Sequence, residues 1–290
     1  MTIDLHNHSN YSDGSYSPSK VIENAVRDGL NTVALADHDC TWGLSEAQKR
    51  AKELNINFVP AVELSVGVED DKDKAYEVHI LGLFIKPTEH MEEINRYVND
   101  KKDQASYRWA EALRKYKGID IDVDRDIRKD FKGSISLGAF GVYLLSHGFV
   151  NEFREGINIL DEMNANGQMN TRYKFGITAA EAIESIHEAG GLAFLAHPFR
   201  MRLDEQTMFK RIKEYKDLGL DGLECYYKKY GHNEAEKIKR SLEMASILGM
   251  LVSGGSDYHV DTPRGRFASG SGIPDEVYEN LLKAKAERQR

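Results

Sequence analysis

The chain has 290 residues but only two cysteines, six prolines and no long apolar run. Cys40 and Cys225 cannot supply a disulfide framework, so we expect a reducing, cytoplasmic compartment. No apolar stretch approaches the ~18 residues that a membrane span needs, which predicts a protein outside the membrane. Because the first residues lack a basic segment followed by an apolar one, we also expect no secretory signal.

Positive charge is scarce as well. The chain has 39 basic and 47 acidic residues, and its net charge is −8. Such a surface repels a long phosphate backbone, which argues against a non-specific nucleic-acid coat protein. The 14 Tyr, 11 Phe and two Trp exclude a disordered chain. At roughly 100–200 residues per domain, the length fits one large domain or one domain with an insert.

Short apolar runs alternate with helical patterns over most of the chain. Ser17 and Pro18 are typical of a helix start, and Gly190 of a helix end. Alternating β and α elements predict a parallel sheet, and seven strands are close to a closed α/β barrel. The predicted strands are Thr2–Leu5, Thr32–Ala36, Asn57–Leu64, Tyr76–Phe84, Leu192–Ala196, Gly222–Cys225 and Met250–Ser253. The charged residues Glu69–Lys74 are predicted to form an exposed hairpin tip.

A charged region of about 90 residues interrupts this alternation. It has no strand signals, and we predict long helices at His90–Lys117 and Glu152–Asn164. Residues Asp120–Lys132 alternate in charge and show no obvious core. We therefore predict a metal-binding barrel formed by residues 1–85 and 177–290. Residues 86–176 would form an inserted helical cap or substrate subdomain.

Histidine and acidic residues recur at the ends of the predicted strands. Loops at the carboxyl ends of barrel strands open on one face, where α/β barrels build their sites. His6 and His8 are two residues apart in an extended segment, so both can point the same way, about 6–7 Å apart, and bind one metal ion. Imidazole and carboxylate ligands suit Zn, Mn or Fe. The residues in such positions are His6, His8, His38, Glu63, His197, Glu224, Asp257 and His259, and His79 lies within the fourth strand.

Several short motifs resemble the polymerase and histidinol phosphatase (PHP) family of metal-dependent phosphoesterases. The matching stretches occur in the family's order along the whole chain: Asp4-Leu5-His6-Asn7-His8-Ser9, Tyr11-Ser12-Asp13-Gly14, Ala36-Asp37-His38-Asp39, Val62-Glu63-Leu64-Ser65, His79-Ile80-Leu81-Gly82, Ala196-His197-Pro198 and Gly255-Ser256-Asp257-Tyr258-His259. The resemblance implies a distorted seven-stranded (β/α)7 barrel with two or three divalent metal ions at its mouth.

The resemblance also implies a distribution of ligands among three metal positions. The first would be formed by His6, His8, Glu63 and Asp257. Glu63 would bridge to a second position completed by His79 and His197. The third would consist of Asp13, His38 and His259.

Asp13 and the insert point to one branch of that family. Some members have His at the position of Asp13, whereas the Ser-Asp-Gly form resembles the branch that acts on nucleotides and on short RNA 5′ ends. The long insert resembles the same branch. A Gly-Arg-Pro-His-like segment of that branch corresponds here to Leu137-Gly138-Ala139-Phe140, which lacks the basic residue.

The expected chemistry is attack on phosphorus by a hydroxide that two metal ions share, without a protein nucleophile. Asp39 and Glu224 are the two candidates for proton transfer to the leaving oxygen. Phosphate oxygens outside the metal centre need a cation, and Arg200, Arg264 and Arg266 are the candidates. The leading hypothesis is a metal-dependent phosphatase for a small monoester, with a nucleotide as the expected substrate.

Other functions use the same ligands. A 5′→3′ exonuclease on short single-stranded RNA or DNA would need a basic and aromatic groove, for which Lys228 and Lys229 beside Tyr226, Tyr227 and Tyr230 are candidates. Histidinol phosphatase is a further option, which Asp13 in place of His disfavours. A metal-stabilised binding module without turnover is the hypothesis from a different class.

Overall fold

The computed structural model describes residues 2–67, 78–169, 176–201, 203–227, 233–260 and 272–288. Its centre is a seven-stranded sheet in the sequential order β1 to β7. The strands are β1 (Ile3–Asp4), β2 (Thr32–Leu35), β3 (Asn57–Val66), β4 (Val78–Leu83), β5 (Leu192–Leu195), β6 (Gly222–Tyr227) and β7 (Leu251–Gly255). All seven overlap the predicted strands.

The ends of the sheet approach each other, so that it forms a nearly closed barrel. The backbone N–H of Leu5, just after β1, donates to the carbonyl of Gly254 in β7 at 3.3 Å. Asn7 and Tyr258 form a parallel bridge farther along the same seam. The predicted α/β barrel is therefore confirmed.

The prediction of an all-parallel sheet is wrong for one strand. β4 pairs antiparallel with both β3 and β5, whereas the other neighbouring strands are parallel. A parallel return needs a crossover of a dozen or more residues, usually helical, and the connection from Val66 to Val78 is too short for one. The hairpin tip predicted at residues 69–74 lies outside the described residues.

Nine α-helices lie within the described residues, and six of them belong to the barrel. These six are α1 (Pro18–Arg27), α2 (Leu44–Glu53), α6 (Ala179–Glu188), α7 (Glu205–Asp217), α8 (Glu234–Leu248) and α9 (Asp275–Arg288). Alternate strand residues face two apolar layers: Val33 and Leu35 pack toward the outer helices, while Ala34 and Ala36 belong to an interior cluster with Leu281 of α9. Helix α9 thus packs against the barrel interior. No helix in the described part of the chain is long and apolar enough to cross a membrane.

The region between β4 and α6 is helical, as predicted. We call residues 86–169 the helical segment; it contains α3 (Glu89–Lys117), a π-helical turn (Val123–Ile127), α4 (Leu137–Ser146) and α5 (Phe153–Ala165). It has a hydrophobic cluster separate from those of the barrel, which includes Trp109, Phe140 and Leu160. Ile127 and Phe131 belong to this cluster too, so the expectation that residues 120–132 contribute no core is wrong.

A candidate polynuclear metal centre

The nine predicted metal ligands lie together at one end of the barrel, and all are buried. β4 runs against its neighbours, so its second residue, His79, lies opposite Ser65 near the carboxyl end of β3. An antiparallel strand therefore brings a ligand from its amino end to the face that the other strands reach with their carboxyl ends. His79 therefore reaches this face because its strand is antiparallel, and not because it follows the carboxyl end of a parallel strand.

Glu63 is at the middle of the cluster. Its Oε2 lies 3.0 Å from His6 Nε2, 3.3 Å from His8 Nε2 and 3.2 Å from His38 Nδ1. Its Oε1 lies 3.0 Å from His79 Nδ1 and 2.8 Å from His197 Nε2. One carboxylate therefore has both oxygens within reach of five imidazoles, which is the arrangement expected of a ligand shared between ions.

The ligand atoms form three compact groups in which they lie within 4.8 Å of one another. The groups are His6, His8, Glu63 and Asp257; His8, Asp13, His38 and His259; and His38, Glu63 and His79. The first has the composition implied for the first metal position. The second contains the implied third position and adds His8. The implied second set meets at Glu63 Oε1, and the compact group there includes His38 instead of His197.

The donor atoms fit divalent metal ions. Several are buried without a hydrogen-bond partner among the described residues: His6 Nε2, His8 Nε2, Asp13 Oδ1, His38 Nδ1 and Glu63 Oε2. The short distances between these atoms lack hydrogen-bond alignment, so their lone pairs converge without satisfying one another. A buried polar group without a partner is costly, and a cation at the point of convergence removes that cost.

The pKa shifts of His8 and Asp13 indicate that the carboxylates of the site favour a positive charge beside them. Burial opposes a charge on His8, yet contacts with Asp257 and Glu63 raise the pKa of its imidazole to about 9. Burial likewise opposes a charge on Asp13, but neighbouring His259 and His38 hold the pKa of that carboxyl well below its ordinary value. The carboxylates thus favour a cation beside them, whether proton or metal ion.

Glu224 orients one of the ligands. The Nδ1–H of His6 donates to Glu224 Oε1 at 2.8 Å, and the backbone N–H of His197 donates to Glu224 Oε2 at 2.8 Å. A hydrogen bond at Nδ1 fixes the ring tautomer and leaves Nε2 free as a ligand. Both oxygens of Glu224 are occupied in this way, so the structure favours a positioning role over the predicted proton transfer.

Asp39 is also occupied elsewhere. Its carboxylate accepts hydrogen bonds from Lys102 Nζ at 2.5 Å, and from the Ser65 hydroxyl and backbone N–H at 2.7 Å each. Burial raises the pKa of Asp39, but the Lys102 ammonium and these hydrogen bonds leave it below its ordinary value. A carboxylate held ionised by a buried ammonium is a poor proton donor, so the structure argues against Asp39 in that role.

Arg200 lies at the edge of the centre. Its Nη1 is 3.4 Å from Asp257 Oδ2, and its side chain is 28% exposed. The same Asp257 oxygen accepts a hydrogen bond from the Tyr227 hydroxyl at 2.8 Å. Burial and Asp257 raise the pKa of Tyr227 well above its ordinary value, so it remains a donor. Arg264 and Arg266 lie outside the described residues.

The position of Tyr227 contradicts its predicted place in the basic and aromatic groove of an exonuclease. It is 2% exposed and its hydroxyl is bound to Asp257, so it offers no surface for a stacked base. Lys228, Lys229 and Tyr230 lie outside the described residues. Sequence reasoning treated this tyrosine as a surface aromatic because it stands beside lysines, and only its register in β6 shows that it faces the site.

Several buried residues that support the site had no predicted role. Asp37 accepts hydrogen bonds from the backbone N–H of Ser9 at 2.6 Å and from the Ser12 hydroxyl at 2.7 Å, which fixes the loop that carries Asp13. Asp4 accepts from the backbone N–H groups of His6 and Ser256. Both acids stand inside the quoted motifs, and their proximity to the histidines was the available signal.

A nearly closed α/β barrel with six buried histidines and three buried carboxylates at one mouth defines a metal-dependent hydrolase. The chain belongs to the PHP domain family, whose profile matches residues 4–232. With this family, fold and site it is a metal-dependent phosphoesterase.

Two curated relatives resemble the chain over most of its length. A 5′-3′ exoribonuclease of Haemophilus influenzae is 30% identical, over 88% of this chain and 89% of the relative. A 3′,5′-nucleoside bisphosphate phosphatase of Chromobacterium violaceum is 29% identical, over 91% of this chain and 87% of the relative.

Two solved structures have the same fold over nearly the whole chain. An amidohydrolase from Chromobacterium violaceum with bound sulfate has a TM-score of 0.83 at 25% identity, covering 98% of this chain and 97% of the other. A protein from Bifidobacterium adolescentis assigned as a metal-dependent phosphoesterase has a TM-score of 0.76 at 25% identity, covering 97% and 95%.

Proposed function

We propose that this phosphoesterase removes phosphate from a small nucleotide, of the AMP or 3′,5′-bisphosphonucleotide type. The observation that carries the proposal is the convergence of nine buried metal ligands at one mouth of the barrel, with Arg200 at its edge, 3.4 Å from Asp257. The positive charge of an arginine beside a metal site suits a compact phosphate group. The relative from Chromobacterium violaceum, a nucleoside bisphosphate phosphatase, supports the substrate class.

The metal ligands follow the sequence assignment. His6, His8, Glu63 and Asp257 would hold the first ion; Glu63, His79 and His197 the second; Asp13, His38 and His259 the third. Two or three ions of Mn, Zn or Fe suit these imidazole and carboxylate donors. Bound there, the ions supply Lewis acidity that makes water a nucleophile near neutral pH and offsets the charge of phosphate oxygens.

The side chains around the ligands bind and orient. Glu224 keeps His6 in the tautomer with Nε2 free, and Tyr227 donates to the Asp257 oxygen that Arg200 also approaches. Arg200 would bind a phosphate oxygen, because its guanidinium is partly exposed at the edge of the centre and a guanidinium matches the geometry of phosphate oxygens. Arg264 and Arg266 stay candidates for the same role.

The two buried, unpaired thiols of Cys40 and Cys225 support a reducing, cytoplasmic compartment.

Phosphate release from the purified chain tests this function. The protein is stripped of metal, reloaded with Mn²⁺, and assayed with p-nitrophenyl phosphate, AMP and 3′,5′-bisphosphoadenosine. We expect release from the nucleotides, and a loss of several orders of magnitude in His6→Ala and Asp257→Ala. Absence of release from every monoester by protein with full metal content would refute the proposal. Full turnover in both variants would refute the assigned site.

A 5′→3′ exonuclease is the second candidate, and the 30% identical exoribonuclease of Haemophilus influenzae favours it. Digestion of 5′-labelled RNA of two to ten nucleotides under the same conditions distinguishes the two. Release of mononucleotides from RNA faster than phosphate from AMP would assign the exonuclease. Assays with histidinol phosphate test the third enzyme hypothesis, and metal binding with no turnover on any substrate would indicate a binding module.

A further inference from the structure

We propose that the helical segment (residues 86–169) completes the third metal position, at which Asp13, His38 and His259 lie in one compact group with His8, and that Ser136 is the positioning residue that holds Asp13. The proposal rests on the metal centre in the proposed function. Although the barrel supplies all four ligands, the segment contacts Asp13 and His259 directly and His38 through its neighbour Asp39.

Asp13 meets the segment at the start of α4. The Ser136 hydroxyl, which caps this helix, donates to Asp13 Oδ2 at 3.2 Å and accepts from the Ala139 N–H at 3.2 Å. Asp13 Oδ1 is 3.2 Å from His259 Nε2 and has no hydrogen-bond partner among the described residues. The segment thus binds one oxygen and leaves the other directed at the ligand group.

The first turn of α4 lies directly against the Asp13 carboxylate. A Cβ on Gly138 would lie 2.0 Å from Asp13 Oδ2, so only glycine permits this approach of α4 to the carboxylate. This is the stretch where the related branch has its Gly-Arg-Pro-His-like segment. In this chain, the helical segment contacts Asp13 there through the Ser136 hydroxyl and the backbone of Gly138.

His38 is held through the residue after it. Asp39 has a left-handed backbone with φ of 46°, which is costly for a residue other than glycine. Its carbonyl accepts from Asn99 Nδ2 at 2.9 Å, and its carboxylate accepts from Lys102 Nζ at 2.5 Å. Asn99 and Lys102 are both on α3 and both buried. Helix α3 therefore fixes the backbone turn from which His38 projects.

His259 meets the segment at the start of α5. The ring of Phe153 lies 5.8 Å from the imidazole ring, centre to centre, at an interplanar angle of 32°. Phe153 also packs against Gly141 of α4, so the two helices support this ring together. By contrast, His6 and Asp257 of the neighbouring group are oriented by Glu224 and Tyr227 of the barrel strand β6.

Metal titration of the full-length chain tests the proposal. Metal-stripped wild type, Ser136→Ala and Ser136→Thr are titrated with Mn²⁺, and bound metal is counted by mass spectrometry after equilibrium dialysis. Loss of a residue that orients a ligand costs about 10–100-fold in metal affinity. We expect a loss of this size for one ion in Ser136→Ala, unchanged affinity for the others, and recovery in Ser136→Thr, which keeps the hydroxyl.

Thr88→Ala is the matched control, because Thr88 caps α3 through the same kind of bond, to the Met91 N–H at 3.2 Å. It should lose a helix cap and keep every ion. Wild-type affinity for all ions in Ser136→Ala, or an equal loss for all, would overturn the proposal. Wild type that binds no Mn²⁺ would instead refute the proposed function. If Ser136→Ala does not fold, Phe153→Leu replaces it, and unchanged affinity there overturns the proposal too.

Discussion

Glu63 illustrates how much of this site depends on single side chains. Burial alone would raise the pKa of its carboxyl, but His6 and His38, among others, hold it well below the ordinary value. Burial would lower the pKa of His6, while Glu63 and Glu224 raise it well above the ordinary value. Each of the two groups therefore favours the charged form of the other. A centre of this kind is stable when cations balance it, and protons are the weaker choice when metal is present.

At the residue scale, sequence motifs located the ligands but not the work of the acids beside them. Asp39 and Glu224 were equivalent candidates for proton transfer, since each is an acid that follows or ends a predicted strand. What separates them from that role is the direction of their oxygens, toward Lys102 in one case and His6 in the other. Direction depends on register and loop geometry, which the order of residues does not specify.

Replacing Glu224 by Gln should weaken metal binding without unfolding the protein. The amide keeps the size of the side chain, but only one of its two ends is an acceptor. It therefore loses one of the hydrogen bonds that Glu224 accepts from His6 Nδ1–H and from the His197 N–H, and it carries no negative charge. We expect about 10–100-fold lower affinity for Mn²⁺ and a parallel fall in kcat. Equilibrium dialysis measures the first and AMP hydrolysis the second. Glu236→Gln, on the exposed face of α8, is the control; equal behaviour of the two variants would contradict the positioning role.

Replacing Arg200 by Lys should act on substrate binding. A guanidinium can reach Asp257 and a phosphate oxygen with separate N–H groups, whereas an ammonium acts as a single point charge. We expect KM for AMP to rise about tenfold, which corresponds to about 1.4 kcal/mol, with metal content unchanged. Arg240→Lys on α8 should change neither. A lower kcat at constant KM in Arg200→Lys would indicate another role.

At the scale of elements, α3 and α4 differ in how well their sequences predict them. α3 was predicted within one residue, as a long helix in a charged region without strand signals; the structure adds that Thr88 caps it and that Gly118 ends it, and both are boundary signals that a sequence carries. α4 was missed, since Leu137–Ser146 is apolar on every face and contains two glycines, so it has neither helical nor strand periodicity. Its position is set by packing against α5 and by Asp13, which are tertiary contacts.

Breaking the ion pair that joins α3 to the barrel should destabilise the fold. Lys102→Met leaves the buried Asp39 carboxylate without its ammonium, and removal of one partner of a buried pair costs about 3–5 kcal/mol. The free energy of unfolding from urea titration measures this. Lys115→Met, on an exposed part of the same helix, should cost less than about 0.5 kcal/mol. Adding Asp39→Asn to Lys102→Met should recover part of the loss; no recovery would show that the cost arises from packing.

At the scale of the whole molecule, the strand count and the barrel were predicted, but the predicted parallel sheet did not take account of the hairpin predicted between the third and fourth strands, which requires an antiparallel β4. Alternation of apolar runs specifies how many strands there are, but parallel and antiparallel strands have similar patterns when both faces are buried. The short β3–β4 connection was the available signal for an antiparallel return. The net charge of −8 likewise does not predict the charge at the site. Three of the acids are predicted metal ligands, and bound cations would reverse the sign of charge at the mouth while the outer surface stays acidic.

Removal of metal should lower the stability of the entire barrel, because the ligands come from loops that follow or contain most of its strands. An ion at 100 times its dissociation constant contributes about 3 kcal/mol to folding if it binds only the native state. We expect chelation to lower Tm by several degrees and Mn²⁺ to restore it. Calorimetry with and without Mn²⁺ measures the difference. His6→Ala should lose most of this response. His187→Ala is the control and should keep it, because His187 lies outside the metal centre, where its Nε2 is 2.9 Å from Asp221 Oδ2. An equal Tm with and without metal in the wild type would mean that the ligand atoms are satisfied by protons alone, contrary to the charge balance around Glu63.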